Sequence, residues 1–210
     1  MKKVTLILAA AFVMLFANNA QAQLGVNIGY APQTTTVTTG NSSSSSDMNG
    51  FFAGVNYNHV LSGNIGLSFG GQVRYNTKTE EGHLATFSGK WNYTQLLIDV
   101  PVLLNFAIPM GSDARIALFV GPVFSYAIQG KSHFKATESI TGLSGETDRN
   151  WYGENSNDSQ FDLMGAAGAA LEFKTFRLFG GYRMGFLDLD KRDNVKSTTS
   201  GIFVGLGYLL

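Results

Sequence analysis

The stretch "IGLSFGGQVRYN", Ile65 to Asn76, decides the fold because it can be read two ways. Strand side chains alternate, so Ile65, Leu67, Phe69, Gly71, Val73 and Tyr75 share one face, while Gly66, Ser68, Gly70, Gln72, Arg74 and Asn76 share the other. In water the apolar face packs on a core. In a barrel that crosses a bilayer the pattern inverts, with the apolar face on lipid and the polar face lining an enclosed interior. The rest of the chain chooses between the two.

Period-two runs predict eight strands: Leu24 to Tyr30, Gly50 to Val60, Ile65 to Thr77, Gln95 to Ile108, Arg115 to Ile128, Gln160 to Phe173, Arg177 to Leu187 and Thr199 to Leu210. The connections alternate in length. Those after the first, third, fifth and seventh strands are long and polar: "APQTTTVTTGNSSSSSDM", "KTEEGHLATFSGKW", the stretch from Gln129 to Ser159, and "DLDKRDNVKST". The others are short: "LSGN", the segment around "PMGSDA", and "KTF". Long loops at one rim and tight turns at the other are what an outer-membrane barrel shows, and a soluble barrel has no reason to sort its loops this way. Aromatic residues mark both rims of the apolar face. Tyr30, Tyr75, Tyr126, Phe161 and Phe186 fall near the loop end, and Tyr57, Phe106, Phe173, Phe176 and Tyr208 near the turn end. A tyrosine ring there sits in the apolar layer while its hydroxyl reaches water. The expected fold is therefore all-β, an eight-stranded antiparallel transmembrane up-and-down β-barrel, with Ile65 to Tyr75 on lipid and Arg74 facing inward.

The remaining composition agrees. Glycine (25) far outnumbers proline (4), and phenylalanine is plentiful (16), a mixture that favours tightly packed sheet. Lys2 and Lys3, the apolar run "VTLILAAAFVMLF" and Ala20-Gln21-Ala22 read as a secretory signal peptide, residues 1–22, leaving 23–210 as one barrel domain. No later run approaches the roughly 18 apolar residues of a membrane helix. With no cysteine, neither a disulfide framework nor a lipid-modified cysteine is expected. The formal net charge is zero and the cations are dispersed, so nucleic acid is not an expected partner.

At "LIDVPVLLNF" (Leu97 to Phe106), "LFVGPVFSY" (Leu118 to Tyr126) and "FDLMGAAGAALEF" (Phe161 to Phe173), the chain resembles the outer-membrane β-barrel domain family of Bacteroidetes, which includes PorT-like proteins. The resemblance implies outer-membrane lipid as surroundings and the barrel-assembly machinery as partner during insertion. It also implies a secretion-linked role for some members, and no catalytic residue to carry over.

Candidate chemistry is sparse, and no catalytic residue, cofactor or metal is assigned. His59, His83 and His133 lie apart in sequence, and the adjacent Ser132-His133 lacks a held orienting group. "GLSGE" does not match a nucleophile elbow. "DRNWYGENSND" is rich in oxygen but has Tyr152 and Ser159 where an EF-hand needs ligands. "GKW" lies mid-chain, whereas the lipocalin Gly-x-Trp signature opens the first strand. Trp151 and Tyr152 are expected as exposed aromatic contact points in a surface loop.

The inward faces carry Arg74, Asp99, Asp162, Glu172, Arg177 and Arg183, three of each sign among small residues. Because an eight-stranded interior holds only its own side chains, these are expected to form an ionic network that fills the lumen. Pairing Glu172 with Arg177 sets Arg183 opposite Ala166, with Asp99 as its partner across the lumen. The expected function is a non-enzymatic outer-membrane anchor for surface loops serving envelope structure, adhesion or partner contact. The alternatives are a narrow channel, a lipid-modifying hydrolase and a soluble lipocalin-like binder.

Overall fold

The computed structural model describes residues 22–84, 87–138, 144–152 and 156–210. The signal-peptide reading therefore lies outside the described residues except for Ala22, and "GLSGE" and "DRNWYGENSND" lie partly outside them. Every regular element among these residues is a strand: β1 (Ala22–Tyr30), β2 (Gln33–Thr39), β3 (Ser42–Ser62), β4 (Ile65–Leu84), β5 (Phe87–Pro109), β6 (Ala114–Glu138), β7 (Ser144–Asn150), β8 (Phe161–Phe173), β9 (Phe176–Gly185) and β10 (Val195–Leu209).

Neighbouring strands of the ring pair antiparallel, and β10 pairs with β9 on one side and with β1 and β2 on the other, which closes the ring. β1 and β2 keep one register against β3, from Tyr30 opposite Phe51 to Gln33 opposite Met48. They form a single barrel strand interrupted at Ala31-Pro32, where proline has no amide to give to a ladder. β7 pairs with β6 and prolongs the wall above β8. Eight barrel strands result, which is the expected antiparallel barrel. The tight turns close at Gly63-Asn64, where Gly63 takes φ 52°, at Met110 to Asp113, and at Lys174-Thr175.

The outer face carries the apolar residues. Ile28, Val73, Leu104, Leu118, Phe176, Ile202 and Leu206 are all exposed, and Arg74, Asp99 and Asn76 are buried inside. Of the residues expected at the turn-end rim, Phe106, Phe173, Phe176 and Tyr208 are exposed on it. Tyr57 is not: it is buried with its ring 5.0 Å from that of Phe69.

Three of the four long connections are not loops for most of their length. "TTTVTTGNSSSSSD" forms the hairpin of β2 and β3, closed at Gly40 with φ 57° and pinned by Thr34 Oγ1 donating to Asp47 Oδ1 (2.7 Å) and by Thr36 against Ser45 (3.0 Å). β4 and β5 run on together to Leu84 and Phe87, and β6 and β7 form a third hairpin. Threonine is β-branched and serine can bond across a ladder, so polarity alone does not make these segments irregular.

Above the Asn49–Thr77 pair, β3 and β4 separate, leaving a projecting sheet of β4, β5, β6 and β7. Its outer face is polar in register. Glu81, Lys90, Lys135 and Glu146 form one row across four strands, with ion pairs of 2.9 Å at each end. The neighbouring row is Thr79, Asn92, His133 and Asp148, with His133 Nδ1 2.6 Å from Asp148 Oδ1. The change from Tyr75 and Leu96 to these rows marks where the apolar belt ends.

Candidate functional site: the filled lumen and its outer cup

Inward side chains fill the barrel in layers. At mid-height the centre is Arg74, 1% exposed, forked onto Asp99, also 1% exposed: Nε lies 2.7 Å from Oδ2 and Nη2 3.1 Å from Oδ1. Ser125, directly opposite Asp99 on β6, donates to Asp99 Oδ1 at 2.6 Å and accepts from Arg74 Nη2 at 3.3 Å. Arg74 Nη1 donates to Gln33, which also receives Asn76 Nδ2 at 3.3 Å. Arg183 lies 3.5 Å from Asp99 Oδ2 and donates to the Ala31 carbonyl at 3.1 Å, the carbonyl beside the proline interruption.

Toward the tight turns comes an apolar layer of Phe52, Phe119, Phe179 and Phe203, with neighbouring ring centroids 6.0 to 6.4 Å apart. Each ring lies across from a glycine in register: Phe52 from Gly29, Phe119 from Gly168, Phe179 from Gly205 and Phe203 from Gly181. A Cβ on any of these glycines falls closer than 3.0 Å to the facing ring. A small void of about 80 Å³ runs between this layer and the mid-height group, lined by Phe52, Phe119, Phe179 and Phe203 and also by Asp99 and Arg183.

Below it, Glu172 holds Arg115, and Arg177 Nε lies 3.3 Å from Glu172 Oε1. The Arg177 guanidinium also covers the rings of Phe179 (5.5 Å) and Phe119 (5.9 Å), a cation held over aromatic faces. A polar cavity of about 460 Å³, lined among others by Asn58, Ser68 and Asn105, opens at the turn end.

The six inward charges therefore lie in separate groups rather than in one network. Arg74, Asp99 and Arg183 meet at mid-height, and Glu172 and Arg177 meet at the turn end with Arg115, a residue absent from the sequence-based set. Asp162 is bonded to Thr199 (2.6 Å), not to an arginine. Arg183 stands opposite Ala166, and it reaches Asp99 at a longer distance than Arg74 does. The sequence reading missed the phenylalanine layer and Gln33, although Phe52, Phe119, Phe179 and Phe203 all fall on the inward parity.

Toward the hairpins the lumen widens into a cup of about 530 Å³. Trp91, Tyr93, Trp151 and Tyr152 line it, and all four are half-buried. Trp151 and Tyr152 are thus turned inward and not displayed on a loop, which corrects the expectation from sequence. The cause is local packing. The Trp151 amide donates to the Gly130 carbonyl (2.9 Å), and both rings cover Gly130, which has no side chain to displace them. Gln95 Nε2 donates to the Tyr152 hydroxyl (2.7 Å), and burial pushes the Tyr152 phenol above its ordinary range. At the rim Arg192 forks onto Asp190 (2.9 and 2.6 Å), which holds the Asp190 carboxyl below its usual value. Ser132 lines the cup while His133 bonds Asp148 on the outer face, so adjacent strand residues point to opposite sides and cannot act as a catalytic pair.

A family model described as outer membrane protein beta-barrel domain matches residues 4–208. Among solved structures the chain is similar to the attachment invasion locus protein Ail of Yersinia pestis, at 16% identity over 90% of this chain and 99% of that one, with a TM-score of 0.40. It is similar to the N-terminal β-barrel domain of Pseudomonas aeruginosa OprF at 14% identity, over 90% and 100%, with a TM-score of 0.31. It is also similar to the outer membrane protease OmpT of Escherichia coli at 7% identity, over 91% and 98%, with a TM-score of 0.43. No curated protein matches the sequence.

Proposed function

Because this chain belongs to the outer membrane protein beta-barrel domain family, we propose that it is a closed, non-enzymatic anchor that holds a projecting sheet and cup outside the cell for contact with a partner. The observation that carries this reading is the asymmetry of the barrel. Its lumen is packed by the Arg74–Asp99 group and the phenylalanine layer, while its walls extend far beyond the apolar belt at one end only. The hairpin end then faces outward and the tight turns face the periplasm, the usual sorting of such barrels. Outer-membrane lipid surrounds the apolar belt, and the barrel-assembly machinery inserts the chain after export by the signal peptide. Within that family, the strand motifs from Leu97 to Phe106, Leu118 to Tyr126 and Phe161 to Phe173 favour the Bacteroidetes, PorT-like branch.

The test is electrical. Purified, refolded protein in a planar bilayer should give no steady single-channel conductance. Regular open-state steps in the unmutated protein would replace the anchor with a narrow channel.

A further inference from the structure

We infer that the cup is a binding site for an uncharged oligosaccharide. A pyranose presents a C–H-rich face and a rim of hydroxyls, so its site needs an aromatic platform on one side and hydrogen-bonding groups on the other. The cup is built this way. On the projecting sheet, Trp91 is stacked on Phe134, its partner in register, with centroids 4.7 Å apart, and Tyr93 lies 6.2 Å from Trp151. These rings stand above the apolar belt, where no lipid covers them, and are held by backbone and cross-strand contacts before any ligand arrives. The rest of the lining includes Thr35, Ser46 and Ser132, short hydroxyl side chains of the kind that can both donate and accept.

Charge selects among saccharides. Lys78, Arg149 and Arg192 line the cup together with Glu80, Asp158 and Asp190, so the signs balance. Two of these pairs are already closed, Lys78 to Glu80 at 2.5 Å and Arg192 to Asp190 at 2.6 Å. Among the described residues no surplus cation remains to draw a sulfated or phosphorylated chain, and breaking a closed pair for one disfavours it. A volume of about 530 Å³ suits a short oligosaccharide and lies within the usual range of small-molecule sites.

The inference rests on the outward orientation proposed above for its biological setting, but not for its binding chemistry. Refolded protein in detergent is titrated with maltotriose, cellotriose, mannotriose and the N-acetylglucosamine trimer, read by tryptophan fluorescence and calorimetry. At least one should bind, and Trp91→Ala and Trp151→Ala should each weaken it by roughly tenfold or more, the factor expected when one stacking ring of about 1.4 kcal/mol is lost. Trp91→Phe, which keeps a ring face, should retain more affinity than Trp91→Ala. Heat-modifiable migration on gels checks that each variant is folded, and Tyr93→Ala substitutes for any that is not. Absence of binding by all four trimers at 10 mM would overturn the inference, as would equal affinity in the folded variants or preference for a sulfated disaccharide. Binding by purified protein without capture of the labelled sugar by intact cells would uphold the site and overturn the outward orientation.

Discussion

Asp99 is the residue on which the lumen turns. It carries the fork from Arg74, the hydroxyl of Ser125 and the longer contact from Arg183, all with almost no water. Asp99→Ala strands two buried guanidiniums and should destabilise the barrel by about 3–5 kcal/mol in urea titrations in lipid vesicles. The geometry also ranks the rescues. When Asp99 is gone, Arg74 loses both bonds of its fork and keeps Gln33 and Ser125, whereas Arg183 loses one longer contact and keeps the Ala31 carbonyl. Ranked by what is lost, adding Arg74→Met should restore more stability than adding Arg183→Met. Equal recovery by the two double variants would refute that order. The residues of this cluster were legible from strand parity, but their partners were not. Arg74 lies diagonal to Asp99, since Gln72 stands directly opposite it, and Gln33 belongs to a segment whose composition reads as loop. Arg183 looked like the natural partner because facing Ala166 gives it room, which measures space and not distance.

Among the elements, the paired phenylalanines and glycines explain a glycine content that composition alone could only record. Phe119 lies across the bare backbone of Gly168, so β6 and β8 meet through a ring instead of two side chains. Gly168→Val would set its Cβ closer than 3.0 Å to both the Gly180 carbonyl oxygen and the Phe119 ring, so backbone and ring must both shift. It should destabilise by at least roughly 1–3 kcal/mol, the usual cost of overpacking. Gly145→Val on β7, where a Cβ meets nothing within 4 Å, should change stability by no more than about 0.5 kcal/mol. Comparable losses at both sites in chemical denaturation would contradict this account. The apolar outer faces were readable because lipid imposes one rule on all of them. The hairpins above the membrane were not, because there polar residues cover both loops and strands, and only the hydroxyl and ion-pair rows across strands tell the two apart.

For the whole molecule the central question is which end faces outward. The chain has no cysteine, so single cysteines report without background. Glu146→Cys on the projecting sheet should react with an impermeant maleimide on intact cells, and Ser112→Cys in the turn between β5 and β6 only after the outer membrane is permeabilised. The reverse pattern would turn the proposed orientation over. Fractionation supplies a second check: the mature protein, starting at Gln23, should sediment with the outer membrane, and recovery in the soluble periplasm would argue for the lipocalin-like alternative. The polar rows that end the apolar belt also set a height. Phe87–Thr94, at about 3.3 Å per residue and tilted by roughly 40°, rises on the order of 20 Å above the last apolar row. On a cell carrying long surface polysaccharide, a rim at that height stands within the polymer coat. Its encounters are then governed by permeation: small or threadlike molecules diffuse down to it, bulky ones are held off by the mesh, and thinning the coat should raise its capture rate without changing its affinity.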